Sequence, residues 1–298
     1  RIHKGGNCMH DSLEHFTIAD VSAITGIKKD TLRKWEERYD FLKPMRLSNS
    51  YRRYSNHQVE FLYILSQKMS GGLSLKKAID ATNKVICMEK DSRHSSHSFF
   101  FKLLAYGEQC NEEKFSYTLH QAHQQCGLVT YLQEIVQPFL KEVGNRWATK
   151  QWAEYQEKFS STLLQHHLIE LSHQIPVPPN AKLVMGACLP NEQHELPLHI
   201  LLLQIQLKGA RIFLIGQSPA PGTIEDFVEE FKPRVVLLSA TTRLPLEDIA
   251  YLKQLDEFAN KHPATHFFIG GEGAASSSVS PKTIQIAQSL ETIWPHIL

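Results

Sequence analysis

Residues 16–44 read FTIADVSAITGIKKDTLRKWEERYDFLKP and contain two short segments of helical spacing joined at Gly26. Glycine ends a helix readily because it adopts the left-handed backbone conformation without steric cost. The apolar positions of the two segments can face each other, at Ile18, Val21, Ile24, Ile27, Leu32 and Trp35. Two short helices packed across a tight turn form a helix-turn-helix, which places its second helix in the major groove of DNA.

The second helix of this motif leaves basic side chains for its outer surface. They are Lys28, Lys29, Arg33, Lys34 and Arg38. Lysine and arginine bind phosphates, and arginine also reads base edges in the major groove. We therefore predict that this surface contacts double-stranded DNA, with Thr31, Arg33 and Lys34 as the candidates for base contact.

Charge is unevenly distributed along the chain. The 298 residues carry a formal net charge of only +1, yet residues 1–88 hold 15 basic and 9 acidic side chains, and residues 89–298 hold 17 and 22. A positive surplus confined to the first part predicts that a polyanion binds there only. With 42% hydrophobic and 21% charged residues, the composition is typical of a folded globular protein.

The sequence predicts no membrane partner. No apolar run reaches the roughly 18–20 residues of a spanning helix, and residues 1–10 lack the apolar stretch of a signal peptide. We therefore expect a cytoplasmic protein. The five cysteines are widely scattered, which argues against a metal knuckle or a redox pair.

Two segments divide the chain into three predicted domains. Asp91–Ser98 (DSRHSSHS) is small and polar, and Pro176–Asn180 (PVPPN) cannot continue a helix. The predicted domains are residues 1–88, 99–175 and 181–298.

Hydrophobic periodicity predicts the elements of each domain. The first contains helices at Ile18–Thr25, Lys29–Arg38, Ser55–Met69 and Ser74–Val85. The second shows helical spacing throughout, and its length fits a four-helix bundle. In the third, strands at Lys182–Cys188, Ala210–Ile215, Val235–Ala240 and His266–Ile269 alternate with helices at Leu196–Leu207, Ile224–Phe231 and Leu246–Lys261, before a terminal strand and helix. This alternation predicts a doubly wound, Rossmann-like parallel sheet, so the fold class is multidomain α and α/β.

The run Arg33-Lys34-Trp35-Glu36-Glu37-Arg38-Tyr39 resembles the second helix of the DNA-binding domain of the MerR family. The family's wing follows this helix and ends in an arginine motif similar to Tyr51-Arg52-Arg53-Tyr54. The resemblance implies a winged helix-turn-helix in which Arg46, Tyr51, Arg52 and Arg53 contact the DNA backbone. An isolated basic run is usually a solvated face, but an ordered series of helix, turn, helix, wing and helix favours DNA binding.

A second resemblance lies in the third domain. The stretch Glu192-Gln193-His194-Glu195-Leu196-Pro197 resembles the first loop, D/E-x-H-x-x-G, of the cobalamin-binding domain of methionine synthase and the mutases. It implies that His194 coordinates cobalt and that Glu192 bonds the other imidazole nitrogen and sets the tautomer. Two further matches are Ser239-Ala240-Thr241 and Gly270-Gly271, which imply that Ser239, Thr241, Gly270 and Gly271 accommodate the nucleotide tail. A lone loop histidine is otherwise most often an ordinary surface residue.

The order of domains resembles the CarH/LitR group of light-responsive repressors. That resemblance implies adenosylcobalamin as the cofactor, self-association to a dimer or tetramer, and release of the operator in light. The group's helical bundle caps the corrin through W-x9-E-H, which here places Trp147 and Glu157 at the cofactor. Without such a role, Trp147 would be a core residue of the bundle.

Three residues depart from these patterns. Pro197 replaces the loop glycine, Lys158 replaces the cap histidine, and Ala148 follows Trp147 where some members have histidine. Proline is compatible with the first turn of a helix. The alternative is a degenerate domain that binds no cobalamin and is controlled by a protein antagonist or another ligand.

An enzyme is the competing class, because cobalamin domains also serve mutases and methyltransferases. The chain has no substrate barrel and no P-loop or metalloprotease pattern. The sequence therefore predicts a transcriptional repressor that is not an enzyme.

Overall fold

The computed structural model describes residues 16–39, 41–46, 51–88, 94–275, 281–287 and 289–297. The chain divides into two compact units, one ending at Leu164 and the other beginning at Gln165. The three domain boundaries predicted from the sequence stay a prediction.

The first unit opens with the predicted helix-turn-helix. Helix α1 (Ile18–Thr25) begins with a capping box, in which the Thr17 and Asp20 side chains each accept a hydrogen bond from the other residue's amide. It ends at Gly26, whose φ of +69° lies in the left-handed region. Helix α2 (Lys29–Arg38) follows, and the buried residues Val21, Ile24, Leu32 and Trp35 form the core of the motif.

The wing and two further helices complete the N-terminal region. Strand β1 (Met45–Arg46) pairs antiparallel with β2 (Arg52–Arg53), and Phe16 pairs with Tyr54 through two 2.9 Å backbone hydrogen bonds. Helix α3 (Asn56–Ser70) begins with a second capping box, formed by Ser55 and Gln58. Helix α4 (Leu75–Met88) follows. These elements agree with the predicted ones to within a few residues.

The middle of the chain is helical, as predicted. It contains α5 (His94–Glu108), α6 (Glu112–Cys126), α7 (Leu128–Thr130), a π-helical stretch (Tyr131–Val136), α8 (Gln137–Ala148) and α9 (Glu154–Gln174). Helix α7, the π-helical stretch and α8 are continuous. Their buried side is the apolar stripe that includes Leu132, Ile135, Val136, Phe139 and Val143.

The predicted linker Asp91–Ser98 is wrong in its second part, because α5 begins at His94. Ser96 and Ser98 are buried, and the Ser96 hydroxyl donates to Glu134 at 2.9 Å. Serine favours turns when its hydroxyl bonds the local backbone. Here tertiary packing overrides that preference. Residues 91–93 of the predicted linker lie outside the described part of the chain.

The second unit contains a five-stranded parallel sheet in the order β4-β3-β5-β6-β7. Its strands are β3 (Leu183–Cys188), β4 (Arg211–Gly216), β5 (Val235–Ser239), β6 (His266–Gly270) and β7 (Gln285–Ile286). The helices are α10 (Leu196–Leu207), α11 (Thr223–Phe231), α12 (Ile249–Lys261), α13 (Glu272–Ala275) and α14 (Leu290–Ile293), with 3-10 turns at Leu244–Leu246 and Trp294–His296. Buried apolar side chains cover both faces of the sheet, which is the doubly wound arrangement predicted from the sequence.

The sheet order places a topological switch point between β3 and β5. The chain leaves β3 toward β4 on one side and later returns to β5 on the other. Ligands of doubly wound sheets bind in the crevice that opens there, outside the carboxyl ends of the strands. A ligand-binding site is therefore expected in the loops that follow β3 and β5.

Every described helix is too short or too polar to cross a bilayer.

Candidate functional site

Helix α2 presents the basic surface predicted for DNA contact. Lys28, Lys29, Arg33, Lys34 and Arg38 are exposed, and Thr31 is half-buried. The Arg33 guanidinium lies 2.7 Å from Asp30, and the two side chains are 49% and 82% exposed. Such an exposed ion pair is weak, so it does not hold Arg33 away from a polyanion.

Glu36 joins the wing to this helix. Its side chain is only 6% exposed, and its carboxylate accepts a hydrogen bond from the Arg52 Nε at 2.6 Å and another from the Tyr54 hydroxyl. The bond to Glu36 raises the pKa of Arg52, and burial together with Glu36 raises the pKa of Tyr54. Arg52 thus positions the wing, and its predicted contact with DNA stays a prediction.

The other wing residues predicted to contact DNA lie beside this cluster. Arg46 is exposed opposite Arg52 in the strand pair, Tyr51 is 66% exposed, and Arg53 is half-buried. Helix α2 and the wing therefore present these basic and aromatic side chains on the same domain.

Three loops of the second unit meet at the carboxyl edge of its sheet. Cys188, Ser239 and Gly270 are direct neighbours in register on β3, β5 and β6. The segments that follow these residues contain the sequence-predicted cofactor residues, including Glu192, His194 and Thr241. The structure therefore brings together three motifs that are far apart in the chain.

Glu192 is the centre of this edge. It is fully buried, and its Oε1 accepts hydrogen bonds from the His194 amide at 2.9 Å and from His194 Nδ1 at 2.6 Å. Its Oε2 accepts from the Thr242 amide at 2.9 Å and from the Thr242 hydroxyl at 3.4 Å. Burial alone would raise the pKa of Glu192, but the bonds from His194 and Thr242 outweigh it and lower the pKa to about 2.

The bonds to Glu192 determine the orientation of the His194 ring. The carboxylate receives the Nδ1 hydrogen, which leaves Nε2 as the nitrogen with a lone pair for a metal. The His194 side chain is 54% exposed although its carboxylate partner is buried. The ring is thus held by Glu192, and its predicted role as the cobalt ligand stays a prediction.

The β3 loop is also held from the β4 side. Asn191 has a left-handed φ of +69°, and its backbone N–H donates to the Ser218 hydroxyl at 3.0 Å. The Ser218 backbone N–H donates to the Glu192 backbone carbonyl at 2.9 Å. Pro197 lies in the first turn of α10, where its missing N–H has no intrahelical role. The departure from the loop glycine is thus accommodated by the helix.

The backbone that follows β6 passes so close to the β5 loop that two of its positions require glycine. A Cβ at Gly271, whose φ is +111°, would lie 2.4 Å from the Ala240 carbonyl oxygen, and one at Gly273 would lie 2.0 Å from that of Thr242. This contact holds the β5 loop that donates to Glu192. The predicted part of Ser239, Thr241, Gly270 and Gly271 in binding a nucleotide tail stays a prediction.

The predicted cap residues lie in the first unit. Trp147, at the end of α8, is 52% exposed, so it is not a core residue, whereas Trp152 is 2% exposed and belongs to the core. Glu157 on α9 is half-buried and accepts from the Ser161 hydroxyl at 2.7 Å. Lys158 and Ala148 are exposed.

Comparison with known proteins agrees with this geometry. Residues 16–84 match the family described as MerR HTH family regulatory protein. The chain is 24% identical over 243 residues to the HTH-type transcriptional repressor CarH of Myxococcus xanthus, covering 78% of this chain and 81% of that protein. It is 25% identical over 288 residues to the repressor CarA of the same organism, covering 94% and 96%. Residues 16–84 are therefore a MerR-type helix-turn-helix domain.

A solved structure shares its fold with about two thirds of this chain. The monomethylamine corrinoid protein of Methanosarcina barkeri matches with a TM-score of 0.52 at 14% identity, covering 66% of this chain and 95% of that one. At this identity the likeness shows the fold alone. The matched part of the chain therefore has the fold of that corrinoid protein, and its parallel sheet is the predicted Rossmann-like one.

Sequence reasoning missed two residues that organise these sites. Thr242 supplies two donors to Glu192, but the motif directed attention to Thr241, its neighbour. The sequence motif gives Glu36 only a place in a helical signature, although it is the anion that holds Arg52 and Tyr54. In both cases the partner is distant in sequence, so periodicity gives no signal of the contact.

Proposed function

We propose that the chain is a transcriptional repressor whose binding to an operator depends on a corrinoid, most specifically adenosylcobalamin, held by His194. The observation that carries this proposal is the buried Glu192 carboxylate bonded to His194 Nδ1 at 2.6 Å. Both repressors that the chain resembles cover most of its length, which supports regulation rather than catalysis. We also propose that it acts in the cytoplasm.

The donor set of this chain fits a corrinoid. An imidazole whose Nδ1 is bonded to a carboxylate is a common form of metal-ligating histidine. The pKa of Glu192, lowered to about 2, keeps the carboxylate ionised at neutral pH and favours the Nδ1–H tautomer. When bound, a corrinoid supplies a cobalt ion and absorbs visible light.

We propose that ligand occupancy changes self-association of the chain, as a dimer or a tetramer. Several MerR-type modules that bind one operator together hold it far more tightly than one module, because linked contacts raise the effective concentration. Illumination is the signal proposed to reverse this association. Trp147 and Glu157 are the proposed additional cofactor contacts.

The experiment is an absorbance spectrum of the purified full chain after incubation with adenosylcobalamin in the dark and desalting, with His194→Ala in parallel. Loss of a metal ligand removes the coordinate bond, so we expect a retained corrinoid spectrum in the wild type and a lost or altered one in the variant. His262→Ala, at the end of α12, is the matched control and should retain the wild-type spectrum.

Three outcomes contradict the proposal in different ways. A colourless wild type that still binds DNA would favour control by a protein antagonist or another ligand. Equal spectra in the wild type and His194→Ala would remove His194 from the site. A spectrum that does not change on illumination would remove light as the signal.

A further inference from the structure

A buried arginine of the helical middle region reaches into the DNA-binding region. Arg146, on α8, is only 3% exposed. Its Nη1 donates to the Ala23 carbonyl at 3.0 Å, and its Nη2 donates to the Ile24 carbonyl. Both carbonyls belong to the last turn of α1, so a side chain more than a hundred positions away in sequence binds the end of the first helix of the helix-turn-helix.

The end of α1 is an appropriate partner for a cation. The last carbonyls of a helix carry a partial negative charge and have no intrahelical donors. The helix closes with Ser22-Ala23-Ile24-Thr25, which brings no positive charge of its own, and the Gly26 amide takes only the Ser22 carbonyl, at 2.9 Å. Arg146 therefore supplies the charge and the donors that α1 does not contain.

The rest of the Arg146 surroundings fixes its position. Glu142, one turn earlier on α8, accepts from Arg146 Nε at 2.8 Å, and the Trp152 ring lies 5.5 Å from the guanidinium carbon. The Tyr63 hydroxyl of α3 donates a hydrogen bond to the Glu142 carboxylate. Burial and this carboxylate together raise the pKa of Tyr63. A buried charge that loses its partners is strongly destabilising. Arg146 therefore keeps this position only while these contacts are present.

A second contact joins the same two regions. The Gln109 side chain, which follows α5, donates to the Asp20 carboxylate of α1 at 2.8 Å. Arg146 and Gln109 thus bind opposite ends of α1. The lysines and arginines of α2 remain exposed in this arrangement, so the contacts with α1 do not cover the basic surface of α2.

We propose that Arg146 is a positioning residue for sequence-specific DNA binding, through which α8 fixes the orientation of α1 and, with it, of the recognition helix α2. Base readout requires a recognition helix held at a defined angle in the groove, whereas phosphate contact requires only accessible basic side chains. Removal of Arg146 should therefore reduce specific binding far more than non-specific binding. The inference does not depend on a corrinoid.

The test compares the full chain with Arg146→Gln, Arg146→Lys and, as a control of equal charge loss on the exposed side of α8, Lys141→Gln. The specific probe is a duplex selected from random DNA with the wild-type chain, and the other probe is an unrelated duplex of equal length. For Arg146→Gln we expect affinity for the selected duplex to fall about tenfold or more and affinity for the unrelated duplex to change less than about twofold. Arg146→Lys should fall between, and Lys141→Gln should match the wild type on both probes.

Hydrogen exchange of the amides at the end of α1 gives a readout that separates positioning from general stability. Arg146→Gln should raise exchange in α1 without raising it in α6. If Arg146→Gln does not fold, the comparison rests on Arg146→Lys, with Glu142→Gln as a control that removes the ion pair to Glu142, leaves the donors to α1 and should retain most of the specific affinity. Unchanged affinity for the selected duplex in a folded Arg146 variant would overturn the proposal, and so would an equal loss for both duplexes.

Discussion

Replacing both Arg33 and Lys34 by alanine is expected to lower the affinity of the chain for its operator about 100-fold or more, since a good side-chain contact to a base edge is worth about 1–3 kcal/mol. Both side chains are exposed on α2, so their truncation should leave the core of the motif intact. The measurement is fluorescence anisotropy of a labelled operator over a range of salt concentrations.

The matched control for this variant is Lys141→Ala with Lys150→Ala. These two exposed side chains lie on and just after α8, and their loss removes the same net charge. We expect the control to change operator affinity by less than about threefold. If both double variants weakened binding equally, the effect would be one of net charge and α2 would not be the recognition helix.

Replacing Glu192 by glutamine is expected to destabilise the second unit by about 3 kcal/mol at pH 7, because a pKa displaced from 4.5 to about 2 corresponds to a free energy of this size. The glutamine amide would also direct its NH2 group against the donor hydrogens of His194 or Thr242. The measurement is native-state hydrogen exchange of the β3 and β5 amides, which reports the stability of this sheet.

The pH dependence of this effect follows from the direction of the shift. Since the folded-state pKa is lowered, the ionised carboxylate stabilises the fold above about pH 4.5, and its contribution is lost as the pH falls through about 2. The difference between the wild type and Glu192→Gln should therefore shrink by more than half between pH 7 and pH 3. Glu229→Gln, an exposed change on α11, is the control. A difference that stays constant over this range would contradict the assignment of Glu192 as a buried, ionised anchor.

Much of the fold could be predicted from the sequence because local signals agree with it. The capping box at Thr17, the left-handed glycine at Gly26 and the alternation of apolar strands with helices each act within a few residues. The predicted linker is wrong at residues 94–98, because Ser96 and Ser98 are buried and Ser96 bonds Glu134, which is distant in sequence. Local composition carries no information about such a contact.

The candidate site divides in the same way. Glu192 and His194 lie in one loop, two residues apart, so their hydrogen bond could be predicted from a family resemblance. Thr242 comes from another strand, and its part depends on the sheet order that places β3 beside β5. The contact of Arg146 with α1 was not foreseen either, because an arginine on an amphipathic helix is usually a surface residue.

The most direct test of the central claim is the operator affinity and oligomeric state of the full chain with and without adenosylcobalamin in the dark, in the wild type and in His194→Ala. The account predicts that the ligand changes wild-type operator affinity by about tenfold or more, together with the oligomeric state, because coupled sites of this kind differ by 1–3 kcal/mol. It predicts no such change in His194→Ala. A wild type that retains the corrinoid after desalting, yet binds the operator with the same affinity and in the same oligomeric state as the ligand-free chain, would contradict it.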